Sequence, residues 1–312
     1  MRRSINIVII LILGLLVSCK HKDLCYDHSH VREVDVIFDW SMSPDAMPES
    51  MSLYLYPDNG GPVQRYDFAN YCGGRVRILD GTYHAICVNS DVRDIVALNI
   101  NNFNAFELNT KDISMLYGQY GVLSKSIPRS SGAEDERIVS VPEYIWSHYK
   151  TDIVIDDVSK SFTLIPVSNV ISGTVTIYNV ENLEWIKGVT TTLSSMSGGY
   201  QPQFESLTEE RVTLAFNCTP FSQDTKVSGT FTTFGCCPLE MIPHKLIVYV
   251  ELYDDSRWYY EFDVTDQLHE QEGLREIVIE IDHLPVPRPV VDGGGFTPSV
   301  EEWQEITYDI KM

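Results

Sequence analysis

The chain has 312 residues, with 44 Asp+Glu against 23 Lys+Arg and a formal net charge of -21. Phosphate backbones would repel such a surface, which argues against nucleic acid as a partner, and anionic lipid would repel a face laid flat on it. The 17 Tyr, 12 Phe and 5 Trp, with many β-branched residues, point to strands rather than helices.

At the start of the chain, Arg2 and Arg3 precede an unbroken apolar run, Ile7 to Val17. This run is well short of the ~20 residues a spanning helix needs and reads as the core of an export signal. It closes on Leu16-Val17-Ser18-Cys19, the pattern of a bacterial lipobox: Ser18 is small enough for a peptidase pocket, and the Cys19 thiol takes diacylglycerol before cleavage. Residues 1–18 are therefore expected to be a lipoprotein signal peptide, and Cys19 the lipid attachment that holds the mature chain on a membrane, since two or more acyl chains anchor stably. Residues 19–31 form a polar, lipidated linker. Within it Cys25, Asp27, His28 and His30 are the densest group of metal-ligand types, but a solvated lead-in explains them and no metal site is assigned.

Val34, Val36, Phe38 and Trp40 alternate with Glu33, Asp35 and Asp39 and make one buried face of a first strand. Arg75 to Ile78 and Thr82 to Val88 read as a hairpin around Asp80-Gly81. Asp91 to Leu98 and Asp112 to Tyr117 carry the few helical signals. The polar stretch Ser130 to Glu136 reads as a boundary or a long loop. Gly173 to Tyr178 and Val212 to Phe216 read as strands. Leu246, Val248, Val250 and Leu252, then Asp254-Asp255-Ser256, then Trp258, Tyr260, Phe262 and Val264 read as a hairpin. Ile277, Ile279 and Ile281 mark another strand.

Length and pattern together predict a mainly β chain of two tandem immunoglobulin-like β-sandwiches, residues 32–158 and 159–284. Residues 285–312 follow as a stiff Pro285–Pro289 segment, a Gly293-Gly294-Gly295 hinge and a final strand carrying Ile306, Tyr308 and Ile310. That strand could close its own sandwich or add to another chain's open edge.

No GxSxG, HExxH, P-loop or GxGxxG motif occurs, so no catalytic residue, cofactor or enzyme activity is assigned. Asp156-Asp157 and Asp254-Asp255 are explained by turns. Trp258 and Tyr260 share the face of the core valines, leaving Tyr259 as the outward aromatic. Of the 7 cysteines, those other than Cys19 are read as buried thiols in preference to a full disulfide set.

The lipobox, Lys22-Asp23-Leu24-Cys25-Tyr26-Asp27-His28 and Val34 to Trp40 together resemble a family of Bacteroidales lipoproteins. Pro48 to Pro57, Gly81-Thr82-Tyr83, Asn89-Ser90-Asp91 and Gly293 to Phe296 with Trp303 agree with it. The family is similar to fimbrillin and fimbrial-anchor lipoproteins. That resemblance implies two transthyretin-like sandwiches and a role in surface fimbriae or adhesion, with fimbrillin-like subunits as partners and the outer membrane as location. No Arg or Lys trimming site of the polymerising subunits is evident, which favours an anchor or accessory role. Lys20-His21-Lys22-Asp23 holds one acid only, so the cell-surface and periplasmic faces stay open. A glycan-binding surface lipoprotein is the alternative reading.

Overall fold

The computed structural model describes residues 30–113, 127–239, 242–271, 273, 275–289 and 304–305. In chain order the first half gives β1 (Val31–Phe38), β2 (Met51–Pro57), β3 (Gln64–Phe68), β4 (Gly73–Leu79), β5 (Gly81–Asn89), β6 (Ile95–Leu98), β7 (Glu107–Thr110), β8 (Arg137–Ser140), β9 (Trp146–Ile155), β10 (Ser161–Leu164) and β11 (Val167–Ser168). One sheet runs β10-β1-β4 and a second runs β11-β9-β5-β2-β3. Their inner faces enclose Val34, Val36, Phe38, Leu53, Leu55, Ile78, Ala85 and Ile153. The alternation read in β1 has its predicted consequence: Val34, Val36 and Phe38 are buried, each worth roughly 1.5–3 kcal/mol of transfer free energy.

The second half gives β12 (Ile171–Val180), β13 (Ile186–Ser197), β14 (Gly199–Gln201), β15 (Ser206–Leu207), β16 (Arg211–Phe221), β17 (Lys226–Thr233), β18 (Lys245–Leu252), β19 (Arg257–Asp263), β20 (Glu276–Leu284) and β21 (Gln304–Glu305). These join in the order β20-β12-β17-β16-β13-β18-β19-β21, leaving out β14 and β15. β16 serves both layers: Arg211 to Cys218 pairs with β13, and Thr219 to Phe221 with β17. The sheet thus turns over at β16 and encloses a core of Val175, Ile177, Leu214, Leu246, Val248, Val250, Tyr260 and Ile279.

The two sandwiches share one pairing scheme. β1 lies between antiparallel β4 and parallel β10, as β12 lies between antiparallel β17 and parallel β20. β2 joins β3 to β5, and β5 joins β9; β13 joins β16 to β18, and β18 joins β19. β11 then pairs antiparallel with β9, and β21 occupies the matching place on β19 but runs parallel to it.

A third small sheet, β15-β14-β7-β6, takes two strands from each half of the chain. It packs Phe106 and Leu108 against Tyr54, Tyr56, Ile86 and Val88 on the outer face of β2 and β5. Those two central strands are therefore covered on both sides, and Met51 to Tyr56 are buried without a break. Gly199 permits the close approach of β14 to β7, because a Cβ there would lie 2.6 Å from the Leu108 carbonyl oxygen.

Several expectations are corrected. β4 and β5 are consecutive at Asp80-Gly81 but do not pair; β4 joins β1 and β5 joins β2, so the turn carries the chain from one layer to the other. Both strands have an apolar side, Val76 and Ile78 in one and Tyr83 and Ala85 in the other, and both sides face the same core. The helical signal at Asp91 to Leu98 gives way to β6, held by β7. The stretch Asp112 to Tyr117 lies mostly outside the described residues. Ser161–Leu164, inside the range 159–284 assigned in sequence to the second sandwich, form β10, which pairs with β1 of the first from Asp35↔Ser161 to Phe38↔Leu164. The polar stretch Ser130 to Glu136 leads into β8, which pairs in parallel with β16 of the second sandwich, and the chain then returns to β9. No helix among the described residues is long and apolar enough to cross a membrane.

Candidate functional site

An edge strand presents unpaired N–H and C=O groups and is a template for adding another chain. The functional reading of this molecule therefore turns on what lies beyond each edge.

In the second sandwich the β16 edge is covered by β8, and a buried carboxylate pins β8 in place. Glu136, immediately before β8, is 8% exposed. It accepts the Ser195 N–H at 3.0 Å, the Thr213 hydroxyl at 2.7 Å and Arg211 Nη2 at 2.7 Å. Ser195 sits at φ 63, where the β13 register shifts between Leu193 and Met196. This bulge turns a backbone N–H toward the carboxylate, so the local strain is repaid by a charge-assisted bond. The next residue, Arg137, makes a second clamp. Its guanidinium donates to Glu210 at 2.7 and 3.0 Å and to Asn109 Oδ1 at 2.9 Å, and it pairs with Asp112. Hydrogen bonding to Arg137 holds the Glu210 carboxyl below its ordinary value. The two clamps join the 130–140 segment, the end of β7 and the start of β16.

The β19 edge is met by β21, with Gln304 opposite Trp258 and Glu305 opposite Tyr259. The chain that leads toward the predicted terminal strand is thus seated on its own second sandwich. Ile306, Tyr308 and Ile310 lie outside the described residues, as do Leu16, Val17, Ser18 and Cys19. Tyr259, expected to face outward, packs against Ile247 and Tyr249. Tyr260 is in the core and Trp258 packs at its margin.

In the first sandwich no strand lies beyond β10 or β11 among the described residues. Beside β11 opens a groove of about 750 Å³ lined by Met42, Tyr144, Trp146, Asn169, Tyr200 and Arg275, among others. Tyr144 and Trp146 stack with ring centroids 6.0 Å apart and planes at 20°, and Trp40 meets Trp146 edge-on at 6.2 Å. Tyr144 is 52% exposed. The Asn169 side-chain oxygen is buried without a hydrogen-bond partner.

The other residues singled out in sequence resolve into structural roles. Asp254 accepts the Ser256 N–H and Asp156 accepts the Val158 and Ser159 N–H groups, both within turns, while Asp255 pairs with Lys187 of β13 at 2.7 Å. Cys87 and Cys218 are buried thiols whose burial pushes them up to about 12 and about 11, which makes them poor nucleophiles. Among the described residues no three His, Cys, Asp or Glu side chains converge as metal ligands. In the sequence Glu136 stands out only as the end of a polar stretch, and Arg137, Glu210 and Arg211 not at all, because isolated charges in polar segments carry no periodic or motif signal.

The molecule has known relatives. A Bacteroides ovatus protein provisionally named a fimbrium anchoring subunit, Fim4B, is 25% identical over 104 residues, which cover 33% of this chain and 31% of that protein's length. A crystal structure from Bacteroides ovatus, provisionally described as an adhesin, superposes with a TM-score of 0.59 at 18% identity, covering 88% of this chain and 99% of the other. A Bacteroides thetaiotaomicron structure, provisionally described as polysaccharide-binding, gives 0.51 at 13% identity, covering 80% and 90%. A model of the family described as "Domain of unknown function (DUF5119)" matches residues 18–217, and the chain belongs to that family.

Proposed function

We propose that this protein is a non-enzymatic structural subunit, a fimbrial anchor or accessory or an adhesion subunit, held on the outer membrane by lipid on Cys19 behind the Leu16-Val17-Ser18 lipobox. The observation that carries the reading is the contrast in edges. The second sandwich has β8 over its β16 edge, while the corresponding β3 of the first sandwich, and β10 and β11 at the other ends of its sheets, have no described strand beyond them. Such an edge accepts an extended segment of a partner through backbone hydrogen bonds. The fimbrium-anchoring relative and the shared fold of the adhesin structure support fimbrillin-like subunits as that partner. Ile306, Tyr308 and Ile310 are the side chains of this chain's own candidate strand.

Two experiments test the reading. Cys19→Ala is expected to release a folded, exported protein from the membrane fraction; full retention on the membrane would refute the anchor. Native-membrane pull-down is expected to recover fimbrillin-like subunits, and their consistent absence would refute the assembly role.

A second reading rests on the Tyr144-Trp146 groove, whose stacked rings and polar rim suit the CH faces and hydroxyls of a sugar. Under it, Trp146→Ala removes binding on a glycan array while the fold is retained.

A further inference from the structure

β20 ends its sheet, bonded on one side to β12. It is nine residues long, runs extended from Glu276 to Asp282 before His283 turns to φ 68, and carries Val278 with 40% of its surface exposed on the outer face. A strand of this kind, left bare, invites pairing with another chain. The bonds made by its outer side show that it is not bare. Glu280 donates its N–H to Gln267 Oε1 at 2.9 Å and accepts Gln267 Nε2 at 3.0 Å. Val278 donates its N–H to Gln271 Oε1 at 2.8 Å and accepts Gln271 Nε2 at 2.7 Å.

Each glutamine amide thus gives one N–H and takes one N–H from a single residue, the exchange that a neighbouring strand residue would make. The spacing explains how a helix achieves this. Gln267 lies in the short helix Thr265–His269 and Gln271 one turn on. Four residues along a helix rise about 6 Å, and two residues along a strand span roughly 6.6 Å, so the two amides fall opposite alternate residues of β20. The second hydrogen of the Gln271 amide is taken by the Gln267 carbonyl at 2.8 Å, which fixes the rotamer. A loop connecting two strands needs none of this; buried Leu268 already secures the helix to the core.

We propose that Gln267 and Gln271 act as a side-chain surrogate for one further strand, closing the β20 edge against addition of a second copy of this chain. The closure holds whether or not the protein joins fimbriae, and it directs any strand contact toward other edges.

The test compares the full-length protein with single and double variants. Gln267→Leu is expected to raise amide exchange at Glu280 and Gln271→Leu at Val278, each by about tenfold, the equivalent of one net hydrogen bond. The double variant Gln267→Ala/Gln271→Ala is expected to gain a concentration-dependent dimer by light scattering. Adding Val278→Pro, which removes the outward N–H but is tolerated on an edge, is expected to abolish that dimer. Exchange unchanged in the single variants overturns the proposal. So does a double variant that associates no more than the unaltered chain, or a dimer that persists with proline at position 278.

Discussion

The two sandwiches repeat one pairing scheme through most of their strands, yet two edges covered in the second have no described cover in the first. β16 is overlaid by β8, whereas its counterpart β3 has no described strand beyond it, and β20 is capped by two glutamine amides, whereas its counterpart β10 has no described strand beyond it; β9 and β19 are each met by a short strand, β11 and β21. A common topology therefore does not set how a sheet meets its surroundings. Short added pieces do that, and they come from outside the repeated scheme: a segment between β7 and β9 and a helix between β19 and β20.

The comparison is broken most severely at the small sheet shared by both halves. Phe106 is fully buried there against Tyr54, and Phe106→Ala is expected to cost about 3–5 kcal/mol. Calorimetry should then resolve two transitions in place of one, because the seam that couples the sandwiches is lost. A single transition at unchanged temperature would show that they are coupled elsewhere. Glu136→Ala is expected to cost about 3 kcal/mol, since it strands the Arg211 guanidinium and the Ser195 N–H. Hydrogen exchange should rise at 137–140 before it rises in β9, and uniform protection would contradict the clamp.

The pH dependence sharpens the contrast further. Burial holds His244 below its ordinary value of 6.5, opposed by the Ser194 carbonyl and Glu136 and reinforced by His269 and Arg211. The folded state therefore keeps His244 neutral where the unfolded chain takes up a proton. Its contribution is whole above about pH 6.5 and is lost as the pH falls below it. His148 in the first sandwich is lowered too, chiefly by burial, so His244→Gln should flatten the acid-side loss without removing it. The smallest effect concerns Asp263. Burial works against its ionisation, but hydrogen bonds from Lys245 and Thr265 prevail and leave it at about 2. The pair is more than half exposed on the aspartate side, and Asp263→Asn should cost less than about 1 kcal/mol in a chemical-denaturation midpoint.

Strands that bury one face were legible in sequence. β1, β19 and β20 show period-two alternation with the expected residues inward, and β18 keeps Leu246, Val248 and Val250 inward as expected although Ile247 and Tyr249 on its other face are buried too. β2 is buried on both faces, so Leu53 and Leu55 cannot be told from Tyr54 and Tyr56 by alternation. The supposed hairpin at Asp80-Gly81 shows the limit of turn chemistry: a tight turn marks where a strand ends, while the next strand's partner depends on which layer its apolar side must reach. β8 was illegible because its parallel partner β16 lies more than 70 residues away, with nothing local to record it. The repeated scheme was hidden for the same reason, since pairing order can recur without recurrence of residues. Gln267 and Gln271 look like ordinary surface glutamines until the strand opposite them is known.

The excursion of β8 has a mechanical consequence. The chain passes from the first sandwich to the second, back again, and over once more before β12, so three covalent connections join the two bodies. Tension drawn between them is divided among three tethers and the ladders of β8 with β16 and β7 with β14. Two beads on one linker would swivel and give way at the linker. This arrangement resists bending and shares load between the two bodies.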